Sequence, residues 1–127
     1  MSNQNTTITG DKNDVDLFVK VLRENHIKAV PLQVSHAFHS KAMDEILDAY
    51  REFCSTLHFA QPQIPIASNI DGKIIKENEF NADYLCLQLR QAVHYLQGIE
   101  NIQLQYQNIA FIECGPNPVL NNLALIS

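Results

Sequence analysis

No apolar run in this chain of 127 residues approaches the roughly 20 consecutive residues that a membrane-crossing helix needs. Residues 1–16 are polar and lack the apolar segment that opens a secretory leader. Basic charge is scarce: 9 Lys and Arg stand against 14 Asp and Glu, a formal net charge of −5. That balance argues against nucleic acid or an anionic membrane as partner, and a soluble cytoplasmic protein is the expectation. Cysteine is sparse and odd in number, with Cys54, Cys86 and Cys114 far apart and none in a Cys-x-x-Cys pair. A disulfide framework and a structural zinc site are thereby disfavoured. Each thiol is expected to be a small apolar core residue, Cys54 above all because it falls on a helical stripe. Internal repeats, low-complexity tracts and flexible linkers are also missing.

What is there is apolar enough for a real core, at 46% of residues. Thr6 to Thr9 reads as a strand, closed by Gly10 and followed by a helix N-cap at Asp11. Val15, Phe18, Val19 and Leu22 recur at i, i+3, i+4 and i+7, which predicts an amphipathic helix over Asn13 to Asn25. Ala29 to Val34 reads as a second strand, with Pro31 confining it to an edge or an end. Met43, Ile46, Leu47, Tyr50, Phe53, Cys54 and Leu57 form one apolar stripe, with Asp44 and Glu45 in its first turn where the helix dipole favours acids. Ile64 to Ser68 reads as a strand and Asp71-Gly72 as a tight turn. Helices are expected over Asn81 to Arg90, Val93 to Leu104 (weakened by Gly98) and Val119 to Ile126, with a buried strand at Ile109 to Glu113. The alternation predicts a mixed α/β fold.

The informative connection is Val34-Ser35-His36-Ala37-Phe38-His39-Ser40, between a strand end and a helix start. Catalytic groups tend to sit on such loops, and a histidine there can act as a general base near neutral pH. Taken alone, the segment reads more readily as two loop histidines that satisfy backbone groups. A metal reading is weaker, because no third ligand stands near His36 and His39 in sequence.

The order of segments adds to this. Thr-Gly-Asp, a helix, a strand and Val-Ser-His-Ala-Phe-His-Ser are followed by Pro-Ile-Ala-Ser-Asn-Ile-Asp-Gly and then Phe-Ile-Glu-Cys-Gly-Pro-Asn-Pro-Val-Leu. From Thr6 to Leu123 the chain resembles the second half of the malonyl-CoA:acyl-carrier-protein acyltransferase family, and modular polyketide synthase domains more than stand-alone transacylases. The resemblance implies a partial acyltransferase domain of the α/β class. Residues 1–34 would close the ferredoxin-like small subdomain, and residues 35–127 would form the C-terminal part of the α/β-hydrolase-like large subdomain. It implies that His39 is the catalytic base of a Ser-His dyad, taking the serine proton during attack on malonyl-CoA and returning it to the leaving thiolate. The second acceptor would be the phosphopantetheine thiol of an acyl carrier protein; no cofactor would be bound covalently and no metal would be held. A backbone carbonyl orients that base in the family, and the segment Ala92-Val93-His94-Tyr95 places it near Gln88. His36, Ala37 and Phe38 would bear on substrate choice. The family's His-Ala-Phe-His goes with malonyl and Tyr-Ala-Ser-His with methylmalonyl. Phe38 would fill the room of an α-methyl group, and overpacking of about 1–3 kcal/mol corresponds to about 10- to 200-fold discrimination. His36 reads as support for the loop. Cys114 as a nucleophile is disfavoured, since the motif needs no thiol there.

The family's G-x-S-x-G nucleophile elbow has no counterpart here: Gly10, Gly72, Gly98 and Gly115 bracket no serine. The Gly-Gln-Gly segment of the oxyanion hole is missing too, and Arg23, Arg51 and Arg90 do not occupy the place of the family's carboxylate-binding arginine. The isolated chain is therefore expected to be inactive. It is expected to bury the Met43–Leu57 stripe by a rearranged compact fold, by self-association, or against an N-terminal acyltransferase half. The rival reading is a non-catalytic remnant that docks within a synthase.

Overall fold

Asp11 sets the first helix. Its side chain accepts the backbone N–H of Asn13 at 2.8 Å, satisfying one of the donors that a helix start leaves unpaired. The computed structural model describes residues 5–32, 34–117 and 119–125, and from Asp11 it runs into α1 (Lys12–Glu24). The helix closes with His26 at φ 58°. His26 N–H donates to the Arg23 carbonyl at 3.0 Å and Ile27 N–H to that of Leu22 at 2.9 Å. This is a Schellman ending with histidine where glycine is usual. Of the apolar stripe, Val15, Val19 and Leu22 are half-buried and Phe18 is exposed, and no residue of α1 is buried.

Ser40 caps the next element, its hydroxyl accepting the N–H of Ala42 at 3.2 Å. The stripe expected as one helix divides into a 3-10 helix, Lys41–Ile46, and α2 (Leu47–Ser55). Met43, Leu47, Tyr50 and Cys54 turn inward, whereas Ile46, Phe53 and Leu57 stay exposed. The stripe is wider than its one packing partner covers. That partner is α3 (Ala82–Arg90), capped by Asn81, whose side chain accepts the N–H of Tyr84 at 2.9 Å. Cys54 and Cys86 meet the core expectation, at 1% and 3% exposed. Cys114 does not: it is exposed, on the extended approach to the last helix rather than on a packed helix face.

Across the α2–α3 interface, Arg51 Nε lies 2.9 Å from Asp83 Oδ1 at the start of α3. Arg90 Nε donates to Asp44 Oδ1 at its end. An antiparallel bridge between Ala67 and Ile74, flanked by Ile75 N–H to Ile66 O at 2.9 Å and Ser68 N–H to Lys73 O at 2.7 Å, brackets the Asn69–Gly72 turn. The turn is fastened to α4 (Tyr95–Gln105) by Asn101 Nδ2, which donates to the Gly72 carbonyl at 2.9 Å. The described chain ends in α5 (Val119–Leu125).

Of the expected strands, Ile64–Ser68 is represented by one isolated antiparallel bridge, from Ala67 to Ile74, and Ala29–Val34 and Ile109–Glu113 form no strand among the described residues. Residues 29–32 and 109–113 run extended or bent without a ladder among the described residues; Gln33 and Pro118, and Ile126 of the expected last helix, lie outside the described residues. A strand exists only by hydrogen bonding to a neighbour, and here Val30, Leu32 and Ile112 are 67%, 63% and 87% exposed. The apolar pattern was correct about what seeks cover, but no described segment supplies it. The rearranged compact fold expected for the Met43–Leu57 stripe does not appear either, since Phe53 remains 63% exposed.

Two glycines predict opposite outcomes for one substitution. At Gly72, with φ 73°, an added Cβ would lie 2.6 Å from Gln97 Cβ and 2.8 Å from Gly98 N. Left-handed strain and overpacking together should make Gly72→Ala destabilising by about 2–5 kcal/mol. At Gly98, inside α4, the nearest atom is Ala67 Cβ at 3.8 Å, an ordinary contact. Gly98→Ala should be neutral or stabilising by up to about 1 kcal/mol. Chemical denaturation of the two variants checks the pair.

Candidate active site around His39

The end of α3 determines where His39 sits. A helix leaves its last carbonyls without intrahelical donors, and two carbonyls around this terminus are taken by one residue. His39 N–H donates to the Leu89 carbonyl at 3.0 Å, and His39 Nδ1 lies 2.9 Å from the Gln91 carbonyl oxygen. A carbonyl only accepts, so Nδ1 carries the proton in the neutral ring and Nε2 carries the lone pair. Nε2 has no hydrogen-bond partner among the described residues. The backbone at His39 is left-handed, with φ 63°, a conformation that costs a non-glycine residue on the order of 1–3 kcal/mol. The two anchors on α3 hold it there.

The carbonyl expected near Gln88 is instead that of Gln91. Gln88 lies inside the last turn of α3, where carbonyls point along the helix axis. Gln91 is the C-cap, with φ −90° and ψ 163°, and its extended backbone turns the carbonyl out of the helix. Beyond it, His94 N–H donates to the Asn69 carbonyl at 2.8 Å. The connection Gln91–His94 is thus held by the histidine loop at one end and the Asn69–Gly72 turn at the other. His94 Nδ1 also pairs with Gln97 Oε1.

The rest of the tetrapeptide faces elsewhere. His36 Nδ1 pairs with Ser35 Oγ at 2.8 Å, and its ring lies 5.7 Å from that of Phe38 at an interplanar angle of 45°. Phe38 is 46% exposed. Ala37 offers its carbonyl to the Ser40 hydroxyl at 2.7 Å, which ties the loop to the cap of the following helix. A shallow groove bounded by Ser68, Lys76 and Leu87 includes none of residues 36–39. Among the described residues no cluster of three or more His, Cys, Asp or Glu could hold a metal ion. No helix there is long and apolar enough to cross a membrane.

Sequence reasoning did not assign a role to Glu113. Its carboxylate accepts the N–H of Leu120 and of Asn121, both at 3.0 Å, and so caps α5 from six residues ahead of it. Tyr95 OH donates to the Leu120 carbonyl at 2.9 Å, holding α5 against α4. An acidic residue ahead of a Gly-Pro turn and a short helix was the available signal.

The chain matches the acyl transferase domain model over residues 1–125, and it belongs to that family. It is 33% identical over 118 residues to the non-reducing polyketide synthase terA of Aspergillus terreus, covering 90% of this chain and 6% of that protein. It is 33% identical over 124 residues to the non-reducing polyketide synthase nscA of Neosartorya fischeri, covering 94% of this chain and 7% of that protein. Among solved structures, the acyltransferase domain from the second module of the salinomycin polyketide synthase superposes with a TM-score of 0.81 at 34% identity, over 91% of this chain and 27% of that one. Malonyl-CoA:acyl carrier protein transacylase (FabD) from Xanthomonas oryzae gives a TM-score of 0.80 at 30% identity, over 92% of this chain and 37% of that one. The chain therefore has the fold of part of an acyltransferase domain. It spans a small fraction of the curated relatives and about a third of the solved domains.

The Glu113 contacts predict an acid-sensitive docking of α5. Backbone hydrogen bonds, from Asn121 first and then Leu120, hold the Glu113 carboxyl below its ordinary value of 4.5. A depressed carboxyl contributes stability that is present above the ordinary value and is lost as pH falls through the folded one. The protection of the Leu120 and Asn121 amides, measured against their intrinsic exchange rates, should therefore fall below about pH 4.5. Glu113→Gln should remove that pH step.

Proposed function

We propose that this chain supplies the general base of an acyltransferase that moves a malonyl unit from CoA to an acyl carrier protein, with the serine nucleophile provided by polypeptide outside this sequence. The observation that carries the reading is the bond between His39 Nδ1 and the Gln91 carbonyl, which leaves Nε2 as the basic nitrogen. In the proposed cycle Nε2 takes the proton of the serine hydroxyl as the serine oxygen attacks the malonyl thioester. The same proton passes to the departing CoA thiolate. The base then accepts the proton of the carrier protein's phosphopantetheine thiol and returns it to serine as the malonyl group leaves. The carbonyl at Nδ1 orients the ring and stabilises the imidazolium without placing a fixed negative charge beside it.

The proposal divides the chain at residues 1–34 and 35–127 into ends of the small and large subdomains. Within it, Phe38 beside His36 sets the preference for malonyl over α-methyl units by bulk, and Ala37 keeps the turn between them. Likeness to the salinomycin acyltransferase domain and to the Xanthomonas transacylase supports the reaction class. The exposed apolar residues of α1 and of residues 30–32 support burial against an N-terminal acyltransferase half. The chain alone lacks a nucleophile elbow and is proposed to be inactive.

The test mixes the chain with an N-terminal half that carries G-x-S-x-G and assays malonyl transfer to carrier protein. Transfer should appear only with both parts. His39→Ala should lower it by about 10²–10⁴-fold, the usual contribution of a positioned base. Transfer unaffected by His39→Ala would exclude the catalytic role.

A further inference from the structure

Arg90 lies between the two residues whose carbonyls hold the histidine. Leu89 O accepts His39 N–H and Gln91 O accepts His39 Nδ1. From the same turn of α3, Arg90 Nε donates to Asp44 Oδ1, in the 3-10 helix that begins two residues after His39. Ser40, the cap of that 3-10 helix, holds the Ala37 carbonyl. The loop, the cap, the 3-10 helix and the end of α3 therefore form a closed ring of contacts around His39. The backbone bond to Leu89, the ring bond to Gln91 and the ion pair to Arg90 are its three cross-links.

We infer that Arg90 and Asp44 are positioning residues for the His39 ring: their ion pair fixes the 3-10 helix against the end of α3 and so keeps Nδ1 on the Gln91 carbonyl. The left-handed backbone at His39 makes such a constraint necessary, because the loop relaxes toward ordinary φ once one cross-link is lost. The pair is a weak contributor to global stability. The two side chains are 29% and 55% exposed, and exposed ion pairs contribute little on average. Its effect is local. The Arg51–Asp83 pair gives the matched control. It joins the same two packed layers, at 2.9 Å and with 48% and 73% exposure, but at the far end of α3.

The inference concerns the histidine assigned as base above. Its test reads the ring rather than acyl transfer, so a failure here is distinguishable from a failure of that assignment. The ring nitrogens of the ¹⁵N-His-labelled chain are observed at alkaline pH, where an imidazole is neutral. In the unaltered chain the two resonances should be widely separated, with Nδ1 in the protonated range and Nε2 in the unprotonated range. Asp44→Asn and Arg90→Gln should each collapse that separation toward the mean as the tautomers exchange. Arg90→Lys should retain part of it, and the double reversal Asp44→Arg with Arg90→Asp should restore it. Asp83→Asn should leave it unchanged. A separation that survives both single variants would overturn the inference. So would a collapse that Asp83→Asn reproduces, because the pair would then act through general packing rather than on this ring.

Discussion

The hydrogen bond between His39 Nδ1 and the Gln91 carbonyl is the constraint from which the functional reading follows. It decides the tautomer, because a carbonyl has no proton to give. It thereby decides which nitrogen carries the lone pair. It also explains why a histidine tolerates φ 63° at the start of a helix-capping loop. The ring and the N–H of one residue together take up carbonyls at a helix terminus, and these need outside donors in any case. A structural requirement of α3 and the requirement of the proposed base are met by the same contacts.

Around that bond the chain is held by backbone and polar fastenings more than by its core. Met43 of the 3-10 helix, Cys54 of α2 and Cys86 of α3 are the buried apolar residues of these three packed elements. The Asn69–Gly72 turn, the Gln91–His94 connection and α4 are joined by His94 N–H on the Asn69 carbonyl and by Asn101 on that of Gly72. Meanwhile Val30, Leu32 and Ile112 lie open. This division matches a chain that covers 27% of a solved acyltransferase domain: the loop at His39 is fastened in place, and apolar surface is exposed along the extended segments.

Much of this was legible in the residues. Asp11 was readable as a cap because its side chain can accept from the helix start, and it does. The periodic stripes gave α1, α2 and α3, and the Asp71-Gly72 turn required the positive φ that Gly72 adopts. The His-Ala-Phe-His tetrapeptide, with its flanking segments in order, identified the family. What failed did so for physical reasons. The strand readings at Ala29–Val34 and Ile109–Glu113 inferred β structure from side-chain pattern, but ladders depend on partners that the pattern does not contain; the reading at Ile64–Ser68 is met only by the bridge of Ala67 to Ile74. The carbonyl that the family resemblance put near Gln88 is that of Gln91, because the outward carbonyl belongs to the residue whose ψ leaves the helix. The Arg90–Asp44 and Glu113 contacts join residues that no local period relates.

The account is tested most directly by a crystal structure of an acyltransferase domain assembled from this chain and an N-terminal half bearing the serine elbow. It predicts Nδ1 of His39 on the Gln91 carbonyl and Nε2 within about 2.6–3.2 Å of the serine oxygen. A ring turned so that Nδ1 meets the serine, or a serine seated against another residue, would contradict it.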